Sequence, residues 1–116
     1  MSKALLRDWQ ERLGLQDWTI KLADCCDPAD MADHDSVGCV TWNEVGRQAL
    51  IQIVDPDLYG ERIVPFDYEK TLVHELLHLK TCLLTDTEDA LQERVGHQLI
   101  DDLARTLVAV KREAME

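Results

Sequence analysis

The sequence predicts an α+β fold: an N-terminal helix, a small and mostly antiparallel sheet of about three strands, and two C-terminal helices. Apolar residues recur at helical spacing at both ends of the chain, and they alternate at strand spacing between. Clusters of Gly, Pro, Asp and Asn punctuate the segments where turns are needed.

Residues 3 to 13 place Leu5, Leu6, Trp9 and Leu13 on one helical face, and Gly14 is a natural stop. Trp18 to Leu22 alternates apolar and polar side chains, as a half-buried strand does. Residues 24 to 36 hold several Asp, Pro28 and two cysteines, and they read as a loop. Val37–Trp42 and Ala49–Val54 are expected to form a hairpin about the turn Asn43–Gly46. Residues 55 to 66 contain Pro56, Gly60 and Pro65 and are expected to be mostly irregular. Asp67 stands at an N-cap position, opening a helix that runs to about Leu84. Thr85, Asp86 and Thr87 interrupt it, and Thr87 or a neighbour is expected to cap a last helix reaching about Arg112. Trp9, Trp18 and Trp42 each belong to an amphipathic segment and are expected in the core or at its edge.

At 116 residues the chain is expected to form one domain, residues 1–116, around a modest core. Hydrophobic residues make up 46%, too many for a disordered chain. No apolar run approaches the roughly 20 residues that span a bilayer. The opening MSKALLRDWQERLGL breaks its apolar positions with charges and makes a poor secretory signal, so a cytoplasmic location is expected. A formal charge of -11 argues against nucleic acid or an anionic membrane as partner. Cys25, Cys26, Cys39 and Cys82 form no CxxC pair and are expected to be reduced thiols. The acidic stretch Asp24–Asp35 lacks the order of a calcium loop and reads as a solvated loop.

The stretch that carries chemistry is His74-Glu75-Leu76-Leu77-His78. Two histidines four residues apart on a helix lie about 6 Å apart along its axis and on one face. Both can therefore reach one zinc ion at roughly 2.0–2.1 Å. Glu75 is rotated by about 100° from His74, which keeps it out of the ligand set but near a water on the metal. Such a carboxylate can take the proton of a zinc-activated water as general base. Leu72, Leu76, Leu79 and Leu83 cover one side of this helix, with Val73, Leu77 and Leu84 extending it. A helix so apolar belongs in the core, where unpaired histidines would carry a desolvation cost that a metal removes.

A catalytic zinc needs a third protein ligand and an open fourth position. Glu88, Asp89, Glu93 and His97 are the groups the last helix offers. That helix is expected to bury Leu91, Val95, Leu99, Leu103, Leu107 and Val110, which puts Glu93 close to the edge of the apolar face. Glu93 is favoured on that ground over His97, which sits one turn on and more toward solvent. Tyr59, Tyr68, His34 and Arg105 are of the type that could stabilise an oxyanion, although no spacing singles one out. Cys82 falls about 12 Å along the axis from His74 and is read as a small buried hydrophobe.

VHELLHL, followed by EDALQERVGHQLIDDLARTL, resembles the small zincin-type metallopeptidases, particularly minimal gluzincin-like and phage-encoded ones. The preceding LGLQDWTIKL and hairpin are similar to that group's order of elements. The resemblance implies a zincin-like fold, a zinc cofactor and hydrolysis of a peptide or protein substrate. In gluzincins the third ligand is a Glu of the following helix, which implies Glu93 here. SprT-like proteases also resemble the chain and use a third His, which would imply His97. ImmA-type regulatory peptidases share the motif and the small size. Nothing like the metzincin HxxGxxH follows His78. The alternative reading is a zinc-containing regulatory or structural binding protein, phage-associated, without turnover.

Overall fold

Helix α1 spans Ser2–Leu13 and turns Leu6 and Trp9 into the core. It ends at Gly14, whose φ of 71° is a conformation glycine adopts without Cβ strain. The structure is a computed structural model and describes residues 2–31, 37–59, 65–81 and 89–115. Strand β1 covers Thr19–Cys26, β2 Gly38–Asn43 and β3 Gln48–Val54. A short helix α2, Pro56–Tyr59, precedes α3, Tyr68–Lys80, and the long α4, Ala90–Ala114. Among the described residues no helix is long and apolar enough to cross a membrane.

The α+β class is as expected, and so is the hairpin: β2 and β3 pair antiparallel from Gly38↔Ile53 to Asn43↔Gln48. Asn43 Oδ1 accepts from the N–H groups of Val45 and Gly46 at 3.0 and 3.3 Å, and Arg47 takes φ 50° to bring the chain back. The sheet as a whole departs from the expectation. Its order is β1-β3-β2 and β1 runs parallel to β3, so the sheet is mixed and not mostly antiparallel. The chain leaves β1, crosses to the far edge to make β2, and returns through the hairpin into the middle. β1 also continues to Cys26, beyond the expected WTIKL, and Pro28–Asp30 closes as one 3-10 turn.

One face of the sheet carries Ala49, Ile51 and Ile53 into the core, where they meet α1 and α3. Trp9 is fully buried, and Trp18 and Trp42 pack at the edge of the same cluster. Asp67 caps α3 through its side chain, accepting from the Lys70 N–H at 3.1 Å. α3 stops at Lys80, before the expected Leu84, and residues 82 to 84 lie outside the described part. Leu72, Val73, Leu76, Leu77 and Leu79 are all buried, so α3 is the central helix that its composition suggests.

α4 lies antiparallel along α3. The pairing is readable from contacts that run in opposite order: Glu69 with Lys111, His74 with Asp101, His78 with His97. Its N-cap is Asp89, not Thr87, with Oδ1 accepting from Leu91 and Gln92 N–H at 2.9 and 3.1 Å. Its inward face is also not the expected one. Ile100, Ala104 and Val108 are buried, while Leu91, Val95, Leu99, Leu103 and Val110 are exposed, and of the expected set Leu107 packs partly buried against the core. Both sets fit a helical period. The inward set is the one that shares its face with His97 and Lys111, which have partners on α3.

Candidate metal centre

His74 and His78 project from adjacent turns of α3 with ring centroids 5.1 Å apart. His97, on α4, closes the group, 4.8 Å from the His78 ring and 6.3 Å from the His74 ring. One ring nitrogen of each lies within 4.8 Å of the others. Three imidazoles on one tetrahedral zinc sit about 3.4 Å apart, so the cluster closes on an ion by side-chain rotation. The donor set therefore suits zinc.

The electrostatics favour ligation. Burial, aided by the neighbouring His74 and His97, pushes His78 down to about 4. Burial also lowers His74 and outweighs Asp101, which acts in the opposite sense. Both rings are thus neutral near pH 7, with a lone pair to donate. Asp101 Oδ1 lies 3.3 Å from His74 Nδ1 and 2.9 Å from Lys70 Nζ, and Oδ2 lies 2.8 Å from Arg105. This carboxylate orients the ring from its Nδ1 side and leaves Nε2 as the nitrogen that could ligate.

Glu75 is 6% exposed and stands beside the start of β2. A Cβ at Gly38 would come within 2.7 Å of Thr71 Cγ2 and 3.3 Å of Glu75 Oε2. Gly38 lets the strand pass this close to the carboxylate. An open cleft of about 570 Å³ borders the cluster, lined by His74, His97, Gln98, Asp101, Asp102 and Arg105.

The residues expected from sequence are thus only partly brought together. His74 and His78 meet a third histidine. Glu93 does not join them: it is exposed in the first turn of α4 and outside the cluster. The antiparallel pairing gives the reason. His97 is level with His78, and Glu93 lies about 6 Å further along the axis, toward the end of α3. Asp89 is occupied as a cap. The Tyr68 hydroxyl donates to Asp24, and Arg105 lines the cleft. His34, Cys82 and Glu88 lie outside the described residues, as does the side chain of Tyr59.

Sequence reasoning missed Asp101 and Gly38. Asp101 carried one available signal, since it follows His97 by four residues and so shares its face. The role of Gly38 depends on a neighbour 37 positions away and has no local signature. Compared with protein-family models, curated proteins and solved structures, the chain matches none of them.

Proposed function

We propose that this protein is a zinc-dependent peptidase in which His74, His78 and His97 hold the ion and Glu75 is the general base. The observation that carries the reading is the arrival of His97 from α4 at the pair presented by α3, where Glu75 is the residue next to His74 in the chain. A bound zinc would supply Lewis acidity to a water and to the scissile carbonyl. The Glu75 carboxylate accepts the proton of the attacking water and passes it to the departing amine nitrogen. Asp101 keeps the His74 ring in the tautomer and orientation that ligation needs. Arg105, on the wall of the cleft, is of the right type to stabilise negative charge on the substrate.

An extended peptide is the substrate form that suits the sheet. β3 is paired on both sides, so Ala49–Val54 offers no edge, whereas β2 is an edge strand. A peptide added to β2 would run past Gly38 and hence past Glu75. Binding of such a peptide should protect the amides of residues 38 to 43 from exchange, and unchanged exchange there would remove this part of the reading.

The decisive experiment compares wild type with Glu75→Gln for zinc content and for cleavage of a peptide library read by mass spectrometry. A peptidase keeps one zinc per chain in both forms and loses turnover in the variant. Zinc without turnover in the wild type would favour the zinc-containing binding protein instead. No zinc in the wild type after titration would sink both.

A further inference from the structure

The outer face of α4 is an apolar surface that the metal site leaves unused. Leu91, Val95, Leu99, Leu103 and Val110 remain 67%, 53%, 57%, 39% and 57% exposed. Their spacing of mostly four residues makes one continuous ridge, about 28 Å long. Isolated exposed apolar side chains are ordinary, but a continuous ridge of this length marks a surface that is covered.

What covers it is indicated by the charges along one border of the ridge. At 100° per residue, Arg94, Gln98, Asp102, Arg105, Ala109 and Glu113 fall in one sector beside it. Their order is positive, neutral, negative, positive, neutral, negative. Read backwards, every positive position meets a negative one and every neutral position a neutral one. A sequence with this property is complementary to itself in the antiparallel sense, which a two-fold axis across the helix produces. Arg94 and Glu113 have no ion partner among the described residues. A net charge of -11 disfavours association of copies in general, yet this border sums to zero.

We propose that α4 is the interface of an antiparallel homodimer, with the two-fold axis near Leu103. In that register Leu103 meets its own symmetry mate, and Val95 meets Val110 of the second copy. Asp102 then faces Arg105 of the second copy, and Arg94 faces Glu113 of the second copy, each twice by symmetry. One helix face is a small contact beside the roughly 1,200–2,000 Å² that stable complexes bury. The dimer therefore forms reversibly and dissociates on dilution. Asp102 and Arg105 also line the cleft beside His97, so the second copy sits at the rim of the metal site. The association does not depend on the peptidase reading, because neither the metal nor turnover enters its test.

Sedimentation velocity over a dilution series, from low micromolar to sub-millimolar, tests the proposal. The wild type should move from the 13.3 kDa monomer toward twice that mass as concentration rises. Leu99→Glu should stay monomeric at every concentration, with an unchanged circular dichroism spectrum. Arg94→Glu and Glu113→Arg should each weaken association, and the double variant should restore it. A wild type that is monomeric throughout, or a Leu99→Glu variant that associates like wild type, overturns the proposal. Single charge reversals without effect, or a double variant that does not recover, overturn the antiparallel register. A mass above the dimer would point to open, non-symmetric association and overturn it too.

Discussion

Asp101 Oδ1 stands 3.3 Å from His74 Nδ1 while the same carboxylate holds Lys70 and Arg105. A carboxylate can only accept, so the Nδ1 proton stays on the ring and Nε2 is left to ligate. The arrangement links a residue of the last helix to the orientation of His74, the first residue of the proposed ligand set.

Removing that acceptor should loosen the ring without unfolding the helix. Asp101→Ala is expected to weaken zinc binding by about 10–100-fold, as loss of a ligand-orienting partner typically does. Competition against a chromophoric chelator measures this directly. Affinity equal to wild type would show that the contact does not orient His74.

The ligand set is separable by stoichiometry. His78→Ala and His97→Ala should each purify without a full complement of zinc, and Glu93→Ala should retain one ion per chain. The opposite result for residues 93 and 97 would require α4 to slide about 6 Å, roughly one turn, along α3, which its buried Ile100, Ala104 and Val108 oppose.

Gly38 should tolerate no side chain at full stability. Its Cβ would meet Thr71 Cγ2 at 2.7 Å, so Gly38→Ala forces β2 and α3 apart. Overpacking of this kind costs about 1–3 kcal/mol. Turnover should fall further than stability alone explains, since Glu75 Oε2 is the next atom met, at 3.3 Å. Thermal melts and kinetics on the same preparation separate the two effects.

A polar clamp ties the ends of α1, α3 and α4 together. Glu69 Oε2 accepts from Trp9 Nε1 at 2.8 Å and from Lys111 Nζ at 2.5 Å, and Lys111 also reaches Asp8 at 3.2 Å. Glu69 and Lys111 are 14% and 10% exposed, so neither is well served by water if the other is removed. Glu69→Ala should destabilise the fold by about 1–3 kcal/mol, because it leaves the Trp9 indole N–H without its acceptor and Lys111 with Asp8 alone. Denaturant unfolding followed by tryptophan fluorescence gives the value. A loss near zero would mean that water replaces the carboxylate.

The same clamp sets an acid limit. Burial alone would raise Glu69, but Lys111, Trp9 and Arg112 outweigh it and hold the carboxyl below its ordinary 4.5. Burial is likewise outweighed at Asp67 by Arg112 and the Lys70 N–H, which hold it below 3.8. For a lowered carboxyl the unfolded chain binds the proton first, so stability falls as pH falls. The contribution is fully present above the ordinary values and is lost as pH drops through the lower folded ones. Acid unfolding of the zinc-free protein should therefore steepen below about pH 4.5, and Glu69→Gln should flatten that limb. A variant curve parallel to wild type would refute the assignment.

Much of the fold was legible because its causes are local. Gly14 ends α1, Asp67 caps α3, and Asn43 shapes the hairpin through hydrogen bonds within a few residues of themselves. The placement of His74 beside His78, with Glu75 turned aside, follows from helical geometry alone, so it needed no tertiary information. The parallel pairing of β1 with β3 was not legible, because strand order depends on where a crossing chain docks and not on alternation. α4 shows the same division most clearly. Its sequence holds two apolar ridges, and both satisfy the helical period. Only the partners on α3 decide between them: His78 and His74 meet His97, and Glu69 meets Lys111, which turns Ile100, Ala104 and Val108 inward. The sequence by itself thus determined the pair of histidines and the glutamate turned aside between them. Tertiary structure decided the third histidine, and with it which ridge of α4 faces out, because helix rotation is set by contacts between residues far apart in the chain.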